Sequence, residues 1–308
     1  MAGITRVILM DLLVERSQFG HGGNQEIIDP ISRFGDVEVL LVTPQMQSKE
    51  VGDEAQFRGL VDLALDDVPL WDNEFEFWEE CRISMNSNNV LFRRIAMPLA
   101  GEDHKMEEWL KDIQPDAVVC SGSRRNVTMW EDWMDGGASL VRCSSMMGIP
   151  TLGICFGHQL LCKALGSTVE RAEKLSNGVW DLDLTKEGDA DVLFSSRRSG
   201  ENDRPAVLFT HQDHVITVPQ SCSLLGSTEH NGVTAVRVHG NDGEALPAWG
   251  VQFHPEAAKA RVERAFEYGD ISEEELEAFK REHDGAGILQ SFADVVIGKM
   301  GKSKSESC

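Results

Sequence analysis

Short apolar runs alternate with segments of helical periodicity in the first half of the chain. The apolar runs are rich in Val, Ile and Leu and too short for buried helices, which predicts strands. Residues 104–113 and 130–146, which lie between such runs, space their apolar positions as helices do. Alternation of apolar strands with helices is typical of a parallel sheet covered on both faces. The predicted strands are residues 6–11 (RVILMD), 37–43 (VEVLLVT), 89–97 (NVLFRRIAM), 116–122 (DAVVCSG) and 150–155 (PTLGIC).

The second half of the chain has a different pattern. After residue 165, short strand-like runs are separated by Gly, Asn and Pro, which predicts an antiparallel, strand-rich segment at the edge of the sheet. From residue 255 the pattern is helical: SEEE at 272–275 has capping-box spacing, and residues 288–300 have an amphipathic period. The predicted strands of this half are residues 178–185, 206–210, 234–239 and 248–254.

No internal repeat or low-complexity linker divides the 308 residues. We therefore predict one α/β domain over residues 1–258, with a mostly parallel central sheet and helices on both faces. Residues 259–308 form a helical C-terminal extension that packs on the same domain. The acidic, aromatic segment around residues 50–80 is expected to be an insert of loop and helix.

The chain is strongly acidic, with 29 basic against 51 acidic residues and a net charge of −22. Such a surface repels polyanions, so nucleic acid is not an expected partner. The first residues lack a signal-peptide layout, no apolar window reaches transmembrane length, and the 7 cysteines include no CxxC pair. We therefore expect a cytoplasmic protein with no membrane partner, disulfide framework or zinc site.

One cysteine stands at a predicted corner of the chain. Residues 153–157 (GICFG) place Cys155 between two glycines, where a strand ends and a helix begins. This is the layout of a nucleophile elbow, in which a side chain at either glycine would collide with the turned backbone. The corner exposes the sulfur, the helix N-terminus favours its thiolate form, and the amide of Phe156 is directed at a developing oxyanion.

A base and an orienting carboxylate follow about a hundred residues later. In WGVQFHPE (residues 249–256), His254 ends an apolar strand and Glu256 lies two residues on. The carboxylate can fold back to one imidazole nitrogen while the other faces the thiol. A lone histidine here would be read as a packed core residue. Together with Cys155 and Glu256, it predicts a catalytic triad.

These two motifs, G-x-C-x-G-x-Q and H-P-E, resemble the class I glutamine amidotransferase family. The likeness covers roughly residues 37–256. VVCSGS (118–123) stands where that family keeps its oxyanion loop, and FTHQDHVITVPQSCSLLGST (209–228) where it has a histidine-bearing turn.

The resemblance implies a flavodoxin-like fold and hydrolysis of a γ-glutamyl amide through a thioester. Cys155 would be the nucleophile, His254 the general base and then acid, and Glu256 the orienting carboxylate. Backbone N–H groups of Gly122 and Phe156 would form the oxyanion hole. The implied substrate-binding residues are Gln159, Ser123, His211 and Asp213, the last two in a turn that lines the pocket.

The oxyanion loop departs from the family pattern. The family commonly has Ser-Gly-Gly-Pro, whereas this chain has Ser-Gly-Ser-Arg at residues 121–124, so Ser123 and Arg124 would reshape the rim of the pocket. This loop and the tryptophan-rich segment after it resemble the stand-alone branch that includes γ-glutamyl peptidases.

Other readings of polar motifs are weaker. His211, Asp213 and His214 could be a metal set, but no further Cys or His cluster stands at ligand spacing, so we predict no metal and no cofactor. GHGG at residues 20–23 lacks the strand and lysine of a nucleotide-binding loop and is expected to be a flexible loop.

Three functions stay open. The leading one is a stand-alone hydrolase or transferase acting on a small-molecule γ-glutamyl amide, in glutamine or in a γ-glutamyl peptide or conjugate. The second is a glutaminase subunit that supplies ammonia to a separate synthetase, such as a GMP-synthase-like partner, because this chain contains no ATP-pyrophosphatase loop. The third is a catalytically silent binding module, against which the intact Cys155, His254 and Glu256 argue.

Overall fold

The computed structural model describes residues 3–12, 17–47, 81–123, 125–196, 198–267 and 271–303. The predicted insert around residues 50–80 lies outside the described residues, as does Arg124.

A sheet of ten strands forms the centre of the molecule, in the order β3-β4-β2-β1-β5-β6-β12-β11-β10-β8, while β7 and β9 pair with each other beside it. The strands are β1 Thr5–Met10, β2 Val37–Val42, β3 Cys81–Met85, β4 Asn88–Arg94, β5 Ala117–Cys120, β6 Thr151–Ile154, β7 Val169–Asp181, β8 Asp183–Leu184, β9 Ala206–Val215, β10 Cys222–Thr228, β11 Asn231–His239 and β12 Ala245–Val251.

Strands β4, β2, β1, β5, β6 and β12 run parallel to one another. Antiparallel strands stand at both edges, β3 on one side and β11, β10 and β8 on the other. The prediction of a mostly parallel α/β sheet with an antiparallel, strand-rich segment is therefore confirmed. Parallel strands β6 and β12 are neighbours, so the residues that follow their carboxyl ends share one edge of the sheet.

Helices cover both faces of this sheet. They are α1 Ser17–Ser32, α2 Pro44–Gln47, α3 Asp103–Ile113, α4 Trp133–Met146, α5 Phe156–Ala164, α6 Lys186–Asp189, α7 Lys259–Glu267, α8 Glu273–Ala278 and α9 Gly285–Ser303. In β1, Val7 and Leu9 pack in one core cluster with α1 and α9, whereas Ile8 and Met10 pack in the opposite cluster with α3, α4 and α5. Successive strand residues point to opposite faces, which explains why the strands are apolar throughout.

Several local predictions were wrong. Residues 20–23 belong to α1 rather than to a loop. The histidine-bearing segment 211–214 lies inside β9 rather than in a turn, because β9 pairs with β7 through Val215. Strands β3 and β10 were not predicted, and β7 begins at Val169, nine positions before the predicted strand.

The C-terminal segment is helical, as predicted. Ser272 and Glu275 form the predicted capping box at the start of α8. Ile288 and Phe292 of α9 are buried in the core cluster that also contains α1. Whether residue 258 marks a domain boundary stays a prediction. Within the part of the chain described here, no helix is both long and apolar enough to cross a membrane.

Candidate active site

Cys155 occupies a strained corner between β6 and α5. Its φ of 50° and ψ of −100° lie in a region that residues with a side chain rarely adopt. A Cβ at Gly153 would lie 2.5 Å from the carbonyl oxygen of Gly157, and a Cβ at Gly157 would lie 2.3 Å from that of Cys120. Both glycines are therefore required for β6, β5 and α5 to approach so closely.

His254 and Glu256 follow the carboxyl end of β12, the strand beside β6. Nδ1 of His254 lies 2.8 Å from Oε1 of Glu256, and both side chains are buried. The backbone N–H of His254 donates to the carbonyl of Leu208 on β9 at 2.8 Å. The hydrogen bond to Glu256 holds the imidazole through Nδ1, and the bond to Leu208 holds its backbone, which leaves Nε2 for a partner in the cavity.

Gly122 brings the loop after β5 to the same point. A Cβ at Gly122 would lie 2.8 Å from Cε1 of His254 and 3.7 Å from Cβ of Cys155. The ends of β5, β6 and β12 therefore meet, and their three predicted site residues are in contact distance. Phe156 begins α5, and the first N–H groups of a helix have no partner inside it.

The charges around His254 favour its protonated form. Burial lowers the pKa of this imidazole, but the charges of Cys155 and Glu256 and hydrogen bonds to both outweigh that effect and raise the pKa to about 10. Nε2 of His254 is buried and has no hydrogen-bond partner of ordinary geometry among the described residues. The charges and the geometry therefore suit a protonated His254 beside the sulfur of Cys155.

A cavity of about 380 Å³ opens over Cys155 and His254. Both of these side chains line the cavity, and so do all of the predicted substrate-binding residues. Its lining residues are Ser123, Arg125, Asn126, Cys155, Phe156, Gln159, Arg171, Leu175, Leu208, Thr210, His211, Gln212, Asp213, His254, Ala257, Val262, Ile271, Glu275 and Phe279.

Three of the predicted substrate-binding residues also hold the walls of the cavity. Nε2 of Gln159 donates to the carbonyl of Asp213 at 2.8 Å. Oδ2 of Asp213 accepts from the backbone N–H and the hydroxyl of Thr128, at 3.0 and 2.7 Å. The hydroxyl of Ser123 accepts from the N–H of Arg125 at 3.0 Å. These bonds fix β9 and the loop after β5 relative to α5.

The side chain of His211 lines the cavity. It is 6% exposed, and neither of its ring nitrogens has a hydrogen-bond partner among the described residues. Burial, with smaller effects of the nearby histidines, lowers its pKa to about 2, so the ring is neutral. Its ring stands 4.7 Å from that of His214. Across the described ranges, no group of three or more His, Cys, Asp or Glu side chains is arranged to hold a metal ion.

Two cationic side chains in the cavity were missed by sequence reasoning. Arg171 faces Asp213 across the β7–β9 ladder, with Nη1 3.6 Å from Oδ1. Arg125 lies on the loop after β5 and pairs with Glu131 at 3.7 Å. Only the pairing of β7 with β9 brings Arg171 to the site, and the prediction that began this strand at residue 178 could not place it there.

Comparison with known proteins identifies the family. The sequence profile of glutamine amidotransferase class-I matches residues 88–266, more than half of the chain. The chain is 29% identical over 220 residues to a GMP synthase [glutamine-hydrolyzing] of Staphylococcus aureus (strain MSSA476), a region that is 69% of this chain and 38% of that protein. It is 35% identical over 162 residues to the protein of the same name from Gloeobacter violaceus, 49% of this chain and 24% of that protein. The matched region thus spans well under half of the length of these relatives.

Solved structures of low sequence identity share the fold. A glutamine amidotransferase from Thermotoga maritima is 16% identical, with a TM-score of 0.57 over 96% of this chain and 99% of that chain. The glutaminase domain of a Trypanosoma brucei CTPS with bound acivicin is 13% identical, with a TM-score of 0.54 over 96% and 94%. These structures show the shared fold, and the sequence match over residues 88–266 shows that the chain belongs to the class I glutamine amidotransferase family.

Proposed function

We propose that this protein hydrolyses the γ-amide bond of glutamine, or of a γ-glutamyl peptide or conjugate, through a thioester on Cys155. The observation that carries the proposal is that Cys155, on a strained corner, and His254, held by the buried Glu256, line one cavity. Such a constellation performs acyl transfer.

In the first half of the reaction, the thiolate of Cys155 attacks the γ-carbonyl carbon of the substrate and the carbonyl oxygen gains negative charge. The N–H groups of Gly122 and Phe156 stabilise that oxyanion. The C–N bond then breaks, and protonated His254 gives its proton to the leaving nitrogen, which departs as ammonia or an amine.

In the second half, His254 is neutral and takes a proton from a water molecule as that water attacks the thioester carbon. The C–S bond breaks, glutamate leaves, and the proton returns to the Cys155–His254 pair. The sum is one amide and one water converted to glutamate and an amine. Glu256 holds the imidazole in orientation through both halves.

Polar residues at one end of the cavity would bind the charged head of the glutamyl group. The Arg171 and Arg125 guanidinium groups offer charge to its α-carboxylate, in a chain of net charge −22. Gln159 lies one helical turn after Cys155, and the carbonyl oxygen of its side chain can accept from the α-ammonium group. Neutral His211 can accept or donate a hydrogen bond between this head and the reacting carbon.

The proposal is tested by turnover of L-glutamine and of a γ-glutamyl peptide, with glutamate and the released amine both measured. We expect glutamate release by the natural chain and none by Cys155→Ser, while the matched variant Cys222→Ser keeps the natural rate. A glutamine-mimicking electrophile such as acivicin should add its mass to Cys155. Turnover that persists in Cys155→Ser would mean that the nucleophile is assigned wrongly.

A second candidate is a glutaminase subunit whose ammonia is consumed by a separate synthetase. The match to 38% of the length of a protein named GMP synthase [glutamine-hydrolyzing] favours it, because the name of that relative joins glutamine hydrolysis to a synthase reaction. In that case, the chain alone would release glutamate slowly, and addition of the synthetase with its substrates would raise the rate. A full rate with the isolated chain supports the leading proposal instead.

A further inference from the structure

The cavity changes from polar to apolar along strand β9. Asp213, which pairs in register with Arg171, stands at the polar end. His211, in register with Ser176, stands in the middle, and Leu208, in register with Val179, stands at the far end. The cavity therefore extends beyond the residues that would bind the polar head of a glutamyl group, and apart from Thr210 and Glu275 that remainder is lined by hydrocarbon.

The side chains at the apolar end of the cavity pack against one another in a single cluster, which we call the apolar wall. Leu208, Ala257, Val262 and Phe279 form one cluster of buried residues, to which Ile271 adds a partly buried side chain. Val262 of α7 and Phe279 at the end of α8 are only 8% and 9% exposed, yet both line the cavity. The helices after the His254 segment thus provide an apolar surface that faces the site.

His254 belongs to this apolar end. Its N–H donates to the carbonyl of Leu208 at 2.8 Å, and its carbonyl accepts from the N–H of Ala257 at 3.2 Å. In the proposed reaction, His254 gives its proton to the leaving nitrogen. The group attached to that nitrogen must therefore leave past the imidazole, on the side where Leu208, Ala257 and Val262 lie.

A leaving ammonia molecule is polar and gains nothing from an apolar wall. An apolar group attached to the nitrogen would bury its surface there, and each fully buried side chain of Val or Phe size contributes enough to change specificity at least tenfold. The wall therefore discriminates between leaving groups.

We propose that the natural leaving group is an apolar amine, so that the substrate is a γ-glutamyl conjugate whose hydrocarbon body rests on Leu208, Ala257, Val262 and Phe279. This inference rests on the proposed γ-glutamyl hydrolysis. Glu275 further restricts the leaving group, because its carboxylate lines the same end of the cavity. Hydrogen bonds hold this carboxylate in place: it accepts from the backbone N–H of Ser272 and, at 3.1 Å, from the side-chain amide of Asn177. A leaving group with a carboxylate of its own is repelled, so an amine is preferred over an amino acid.

The test compares kcat/KM of the natural chain for four probes: L-glutamine, γ-glutamylmethylamide, γ-glutamylbenzylamide and γ-glutamylphenylalanine. We expect the benzylamide to be hydrolysed at least about tenfold better than the methylamide, since a benzyl group buries the area of a core side chain. We also expect it to be preferred over γ-glutamylphenylalanine, which differs by one carboxylate.

A nearly isosteric variant assigns the preference to the wall. Val262→Thr replaces one methyl group by a hydroxyl and should reduce the ratio of benzylamide to methylamide turnover about threefold or more. Val233→Thr makes the same change at a buried position of β11 that does not line this cavity, and should keep the natural ratio.

The outcomes separate the two proposals. Equal kcat/KM for methylamide and benzylamide, or a preference for L-glutamine over both, would overturn the apolar subsite while γ-glutamyl hydrolysis stands. If none of the four probes is hydrolysed and acivicin leaves Cys155 unmodified, the proposed function itself is wrong and the subsite with it.

Discussion

Gly122 touches the imidazole of His254 so closely that one added methyl group would stand 2.8 Å from Cε1. The contact joins the loop after β5 to the residue after β12, across the top of the intervening strand β6. Gly122, the proposed oxyanion donor, and His254, the proposed base, are therefore packed against each other, and a larger residue at 122 would displace the imidazole.

We expect Gly122→Ala to lower kcat about a hundredfold, because displacement of a catalytic group by about 1 Å costs that much. The fold should be retained, since the ring can rotate away from the methyl group. The measurement is kcat for the preferred γ-glutamyl amide, with thermal unfolding recorded alongside. Gly232→Ala is the matched control, because a Cβ there meets nothing within 4 Å. Equal losses in both variants would contradict the role given to the contact.

Glu256→Gln tests the electrostatic origin of the raised pKa of His254. The charges of Cys155 and Glu256 together raise that pKa to about 10, so the imidazole keeps its proton until the pH rises through this value. Without the Glu256 carboxylate the pKa falls, and the alkaline limb of the kcat/KM profile should move down by about one pH unit or more.

The control for this profile is Glu263→Gln, a neutralised carboxylate on the exposed surface of α7. It should keep the alkaline limb of the natural chain. If Glu256→Gln keeps the alkaline limb of the kcat/KM profile at the natural pH, the carboxylate of Glu256 does not contribute to the raised pKa of His254.

The parts of the site that sequence predicted are those that depend on local chain geometry. The glycines at 153 and 157 identify the corner because a Cβ at either position would stand within 2.5 Å of a backbone carbonyl oxygen. His254 and Glu256 are two residues apart, so their hydrogen bond needs no long-range information. Apolar runs identified most of the parallel strands because both of their faces are buried.

The parts that sequence missed depend on pairing between distant strands. The family resemblance predicts a turn at residues 211–214, yet β9 continues through them because β7 pairs with β9 over two stretches separated by an irregularity. Arg171 reaches the cavity only through that pairing. The apolar wall depends on α7 and α8 folding back over Leu208, which the amphipathic pattern of the tail does not specify.

Arg171→Gln tests recognition of the glutamyl head. The guanidinium lines the cavity and donates to Oε1 of Gln212, which places its charge near the proposed α-carboxylate. A hydrogen bond to a charged group contributes about 1.5–3 kcal/mol, so KM should rise about tenfold or more while kcat changes little. Arg33→Gln, which changes an exposed arginine directly after α1 and outside this cavity, should leave both constants unchanged. A fall in kcat with unchanged KM in Arg171→Gln would place Arg171 in the chemical step instead.

His158, three residues after Cys155, makes the free energy of unfolding depend on pH. Its imidazole is buried between α5 and β11, with Nε2 3.0 Å from the carbonyl oxygen of Val233, and burial lowers its pKa to about 4. The unfolded chain has a histidine pKa of about 6.5, so between these values it binds more protons than the folded chain. The free energy of unfolding therefore falls as the pH falls, by about 2 kcal/mol between pH 7.5 and pH 5 from this residue.

Urea unfolding at these two pH values measures the effect. His158→Gln should be less stable than the natural chain at pH 7.5, because it loses a fitted buried ring, but its loss of stability on going to pH 5 should be smaller by about 2 kcal/mol. His104→Gln removes an exposed histidine of α3 and should keep the full acid dependence. If His158→Gln loses as much stability between pH 7.5 and pH 5 as His104→Gln does, His158 is not the group whose protonation opposes folding.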